Sequence, residues 1–234
     1  MAGARPTINS LIQALGQKNI KSLEDAISCI EPQSGIDVIE HGPETATKTK
    51  DILNVLLSFP PPADKNTYRR LSRAMIDSGL VRANREDIPA GLTGLICQGL
   101  DNDKNEWISE IMEMDFHAMF RAYTNGGFSF QRWILKIQNT ALMEQVSEFA
   151  MRAMRYKGLS QNSLDARKIL DLLEFVLDID SELLSVRKTD LAQFKHLERK
   201  AEVPHPRLLS FLHNKTLFQM AHGFSKPAAS APKI

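Results

Sequence analysis

The chain has 234 residues, 43% of them hydrophobic and 24% charged, and its formal net charge is +1. These proportions belong to a folded globular chain and exclude a low-complexity or highly charged disordered polymer. No apolar run approaches the roughly 20 residues that a membrane helix needs, and the first residues lack the apolar core and cleavage pattern of a secretory signal. The expectation is therefore a cytoplasmic protein with no transmembrane segment.

In chain order, helical spacing of apolar residues predicts helices over Ile8 to Leu15, Lys21 to Ile30 and Thr47 to Leu57. Ile36 to Ile39 is the nearest approach to a strand, and it is short. After the Pro60-Pro61-Pro62 break, Asp64 is placed to cap a helix in which Tyr68, Leu71, Met75 and Ile76 recur at helical spacing, with Gly79 closing it. Gly91-Leu92-Thr93-Gly94 has the spacing of a nucleic-acid-clamping loop, but it lacks basic middle residues and reads as the start of a helix over Leu92 to Leu100. Helices over Asn105 to Tyr123 and Phe130 to Tyr156 follow, separated by Asn125-Gly126-Gly127, the strongest internal turn signal. Ser163 is placed to cap a helix carrying Leu164, Ile169, Leu172, Leu173, Val176 and Leu177 on one broad face. Thr189 to Lys200 and Pro206 to His213 complete the series, the last helical stretch ending near Gly223. The fold class is all-α, with two lobes at 1–124 and 125–222 and a flexible C-terminal tail at 223–234, rich in Pro, Ala, Ser and Lys.

The near-zero net charge hides a segregation into blocks. Lys65 to Arg85 carries six cations against the single acid Asp77, whereas Asp101 to Asp115 carries six acids against Lys104. Asp165 to Glu182 is acid-rich, and Phe116 to Ser160 and Arg187 to Lys226 are basic. A neutral chain patterned in this way can present a polyanion-binding face and also attract copies of itself.

Signatures of catalysis are missing from the sequence. There is no Gly-Lys-Ser/Thr phosphate loop, no Gly-x-Ser-x-Gly elbow and no His-Glu-x-x-His zinc pattern. Cys29 and Cys97 read as small hydrophobes, and His205, His213 and His222 as surface histidines too far apart to share a metal. No enzyme, metal or cofactor is expected.

The cations are more informative. Arg69, Arg70 and Arg73 project from one side of their helix, opposite Tyr68, Leu71 and Met75, in a row suited to phosphate oxygens. Arg132, Lys136, Arg152, Arg155 and Lys157 form a second group interleaved with aromatic residues, as in single-stranded RNA grooves. Most of those aromatics have core spacing, leaving Tyr123 and Tyr156, near helix ends, as the stacking candidates. The alternative for every cation is pairing with the acidic blocks of the same chain.

Asp64-Lys65-Asn66-Thr67-Tyr68-Arg69-Arg70-Leu71 resembles the acidic-x-x-Thr-x-x-Arg helix that some bunyaviral nucleoproteins carry near their RNA groove. With the helical content and the basic faces in both halves, the chain loosely resembles the nucleocapsid proteins of segmented negative-strand RNA viruses. A competing resemblance, to orthomyxovirus matrix proteins, runs through Gly16-Gln17-Lys18-Asn19, Leu23-Glu24-Asp25-Ala26, Lys50-Asp51-Ile52-Leu53 and Tyr68-Arg69-Arg70, with an apparent insertion near Pro32 to Thr45 and no Cys-x-x-Cys in the second half. The first resemblance implies a viral structural protein that coats single-stranded RNA without sequence selection. Such a protein forms homo-oligomers, meets the viral polymerase or other viral proteins, and resides in host cytoplasm and virion. The second implies a self-assembling matrix or scaffold protein on anionic membrane. A helical protein-protein adaptor is the third expectation.

Overall fold

The computed structural model describes residues 8–17, 20–33, 42–80, 90–156 and 163–222. Among them are eleven α-helices, one short 3-10 turn and no strand, so the fold is all-α. The chain divides into two units, Met1–Gln138 and Asn139–Ile234. The sequence places the division near residue 125, and Ile36 to Ile39, Lys157 and the tail at 223–234 lie outside the described residues.

The first unit holds α1 (Ile8–Gln17), α2 (Leu23–Ile30), α3 (Gly42–Leu57), α4 (Lys65–Asp77), α5 (Ala90–Asp101), α6 (Asn105–Met114) and α7 (Phe116–Ile134). Local chemistry sets several of these ends. Ser22 and Asp25 exchange side-chain and backbone hydrogen bonds of 3.1 Å, a capping box that starts α2 and holds the Asp25 carboxyl below its usual range, with the Lys21 N–H the largest cause. Asp64 caps α4 by accepting from the N–H groups of Asn66 at 2.7 Å and Thr67 at 3.1 Å. Gly79, at φ 80°, takes the left-handed conformation that ends that helix. Tyr68, Leu71 and Met75 are buried and Arg69, Arg70 and Arg73 exposed, as the amphipathic spacing predicts.

α5 packs most extensively on α7, α3 packs on α1 and α5, and α2 packs on α4. This core includes Leu56, Leu71, Leu92, Ile96, Ile111, Phe130 and Trp133. Its two indoles are buried with their N–H groups satisfied. Trp107 donates to the Phe59 carbonyl and Trp133 to Asn105 Oδ1, each at 2.8 Å.

The two ends of α7 differ from the sequence reading. The helix expected over Asn105 to Tyr123 breaks at Asp115, whose backbone leaves the helical region at φ −140°, ψ 83°. Its side chain accepts from the Ala118 N–H at 3.0 Å and starts α7 as a separate helix. α7 then runs unbroken through Asn125-Gly126-Gly127, where a turn is expected. Each glycine costs a helix interior about 1 kcal/mol, and burial of Tyr123, Phe130, Trp133 and Ile134 on either side outweighs that. The break instead falls at residues 135–139, where Asn139 Oδ1 accepts from the Leu142 N–H at 3.3 Å and starts the next helix.

The second unit holds α8 (Thr140–Arg155), α9 (Ser163–Ile179), the 3-10 turn Ser181–Leu183, α10 (Asp190–Ala201) and α11 (Pro206–His222). α9 is the centre, touching α8, α10 and α11, with Ile169, Leu170, Leu172, Leu173 and Val176 fully buried. Leu164, expected on that face, is exposed at its start. α11 runs past His213 to His222, in line with a last helical stretch that ends near Gly223. His205, expected at the surface, is buried at the α10–α11 corner, its Nδ1 3.0 Å from the Val203 carbonyl and its Nε2 3.0 Å from Asp171 Oδ1. Cys29 is buried and Cys97 half-buried, both as free thiols, and burial raises the Cys97 pKa.

Asp115 both caps α7 and accepts from the Tyr68 hydroxyl at 3.3 Å. Asp115→Ala should lower the stability measured by urea unfolding by about 1–2 kcal/mol, whereas Asp115→Asn, which keeps an acceptor for the cap, should lose less.

Candidate nucleic-acid interface

Most of the expected phosphate-binding cations are already engaged by carboxylates. Arg70, on α4, meets Glu31 with two guanidinium nitrogens, Nη2 standing 2.6 Å from Oε2, and also donates to Ser28 Oγ at 3.1 Å. Hydrogen bonding to Arg70 holds the Glu31 carboxyl below its usual range and raises the guanidinium in turn. Lys136 Nζ stands 2.9 Å from both oxygens of Asp103, and Arg132 lies 3.9 Å from Asp101. These pairs join the acidic block of α5 and its following turn to the basic end of α7, the intramolecular alternative read from the charge pattern.

Arg155 departs furthest from its expected role. Its guanidinium is mostly buried and makes bonds of 2.9 and 2.7 Å to Asp190, a carboxylate only 1% exposed, with a further 2.8 Å bond to the Ser185 carbonyl. The Arg187 N–H also donates to Asp190, at 2.6 Å. A buried carboxylate needs this compensation, so Arg155 ties α8 to the start of α10 and does not face a ligand. Arg152 is exposed on α8 and Tyr156 half-buried at its end, and both are engaged within the chain. Tyr123 is 1% exposed and packs edge-on against Phe130 at 5.2 Å, which removes it as a stacking surface.

Arg69 and Arg73 remain, and they share a groove. About 480 Å³ in volume, it is lined by Tyr68, Arg69, Ser72, Arg73, Ile76 and Asp77 from two adjacent rows of α4, with Asp115 from the α6–α7 junction opposite. The Tyr68 hydroxyl bonded to Asp115 occupies one wall, and burial, reinforced by the Asp115 charge, pushes that phenol far above its usual range. The groove is not purely cationic. Asp115 is occupied by Tyr68 and the Ala118 N–H, and Asp77 lies 3.3 Å from Arg73 Nε. That last pair is well exposed on both sides, a class worth roughly 0–1 kcal/mol and readily exchanged. Arg69 is exposed and makes no ion pair among the described residues.

The segment that carries the nucleoprotein resemblance has a local role as well. Asp64 and Thr67 form the cap of α4, the Thr67 hydroxyl donating to Asp64 Oδ2 at 2.8 Å, and these bonds hold the Asp64 carboxyl below its usual range. No group of three or more His, Cys, Asp or Glu side chains among the described residues could hold a metal ion, and none of the described helices is long and apolar enough to cross a membrane. No family model, curated protein or solved structure matches the chain.

Two outcomes test these assignments. Arg155→Ala leaves the Asp190 charge buried and should cost about 3–5 kcal/mol in urea unfolding, part of which returns when Asp190→Asn is added. Glu31 has a depressed pKa, so its pairing with Arg70 contributes stability that is complete above the ordinary 4.5 and fades as pH falls through the lowered value. The urea midpoints of wild type and Glu31→Gln should accordingly differ at neutral pH and converge in acid.

Proposed function

We propose that this chain is a nucleocapsid-type structural protein that coats single-stranded RNA without sequence selection and self-assembles, working in host cytoplasm and virion. The observation that carries this reading is the α4 groove, where Arg69 and Arg73 stand one turn apart on the exposed side of a helix firmly rooted in the core. Guanidinium groups so placed can meet successive phosphate oxygens bidentately. Contacts of that kind supply affinity and position, and they carry no base information. The resemblance of the Asp64 to Leu71 segment to nucleoprotein helices points the same way.

The mechanism is exchange. Arg69 engages phosphate directly, and Arg73 leaves its exposed partner Asp77 for the stronger, charge-assisted contact. Ile76 supplies an apolar patch in the same groove for the sugar or base edge. The viral polymerase and other viral proteins are the further partners this role implies.

Fluorescence anisotropy with unrelated single-stranded RNA oligonucleotides, on protein freed of bound nucleic acid, tests the proposal. Wild type should bind all sequences alike, with affinity falling steeply as salt rises. Arg69→Gln with Arg73→Gln should weaken binding and reduce the slope of log affinity against log salt by about 1.4, near 0.7 for each lost contact. No binding at low salt, or an unchanged double variant, would overturn the reading. Flotation on anionic vesicles with no RNA affinity would assign the chain to the matrix class instead.

A further inference from the structure

α10 separates its charges across its own width. Its two acids point to internal partners: Asp190 is buried against Arg155, and Glu198 Oε1 accepts from the backbone N–H of His205 at 2.8 Å. Phe194 and Leu197 are fully buried on the same inner side. Lys195, His196, Arg199 and Lys200 are left exposed at spacings of one, three and four, two adjacent rows of one outer face. None of the four makes an ion pair among the described residues, and Arg199 Nε contacts only the Lys195 carbonyl, at 3.2 Å. Arg187 and Lys188, just before the helix, are likewise exposed and make no ion pair among the described residues. Glu202, at the helix end, pairs with none of these cations.

The geometry points to the outer face of α10 as a phosphate-binding surface for single-stranded RNA, carried by Lys195, Arg199 and Lys200 with His196 among them. It rests on the RNA-coating reading above and places in the second unit the contact that Arg155 does not make. Two features favour RNA over a bilayer. The face is poor in apolar surface to insert between lipids, offering only Ala192 and Leu191, the latter half-buried one turn before Lys195. A flat imidazole amid cations is suited to a base beside its phosphates. Part of the basic character near the helix end is favourable to the helix dipole, but Lys195 lies in mid-helix, beyond the last turn where that interaction acts.

The test uses the full chain and the same RNA oligonucleotides. Lys195→Gln, Arg199→Gln and Lys200→Gln together should leave the circular dichroism spectrum and urea midpoint unchanged while lowering the salt slope by about 2, near 0.7 for each of three contacts. Ala192→Glu, which adds an acid to the face and removes nothing, should also weaken binding. If wild type binds RNA and both variants keep its affinity and slope, the inference is wrong while the α4 reading stands. If both variants lose affinity while Arg69→Gln with Arg73→Gln does not, α10 stands and the α4 groove falls. Wild type that binds no RNA removes both, and loss confined to anionic vesicles would overturn the RNA assignment in favour of lipid.

Discussion

A carboxylate as deeply buried as Asp190 constrains everything within reach of it. It needs a cation and hydrogen-bond donors, and here Arg155 from α8 and the Arg187 N–H supply them. Burying such a pair need add nothing to stability over an apolar replacement, but breaking it is costly, so the geometry it imposes is hard to leave. The segment from Ser185 to Asp190 is fixed through the Ser185 carbonyl, and α10 begins at a set angle to α8. The helix's outer face follows from that. With Asp190 turned inward and Glu198 bonded to the His205 backbone, α10 turns Lys195, His196, Arg199 and Lys200 to solvent.

Asp115 plays the corresponding part in the first unit. It is less buried, and its two oxygens serve different masters: one caps α7 and the other accepts from Tyr68 on α4. The Tyr68 contact spans 47 residues of sequence, and it sets one wall of the groove that Arg69 and Arg73 line. In both units, then, an acid at a helix start ties two helices together, and one of the two carries exposed basic side chains.

How much of this was legible in the sequence depends on the range of the interaction concerned. α4 is legible nearly residue by residue, because its signals are local: Asp64 after three prolines, apolar spacing through Met75, and Gly79 at positive φ. Asn125-Gly126-Gly127 misled for the complementary reason. Local propensity favours a turn there, while packing of α7 on α5, set by residues far away, keeps the helix whole. The left-handed end of α10 falls on Glu202, at φ 56°, where no glycine announces it. Ion pairing was the least legible of all. Nothing near Arg70 indicates that Glu31, 39 residues earlier, will meet it, and nothing near Arg155 indicates Asp190. Arg187 to Lys226 reads as basic, but the α10 face within it is not visible in sequence, because Asp190 and Glu198 lie among its cations and only the fold turns them inward.

The structure also ranks the cations by what it costs to withdraw them from their present partners. Arg155 is held against a buried carboxylate whose abandonment costs about 3–5 kcal/mol, more than one phosphate contact returns. Arg70 is exposed but engaged through two nitrogens, an arrangement whose geometry already resembles a phosphate clamp. Arg73, Lys136 and Arg132 sit in exposed pairs of a class worth roughly 0–1 kcal/mol, which a phosphate in the same place can displace. Among the described residues, Arg69 and the outer cations of α10 have no carboxylate to give up. Net charge therefore says little about polyanion affinity in a chain patterned like this one. What matters is how unequally the internal acids divide their attention among the cations, and that inequality leaves each unit with a basic helical face of its own.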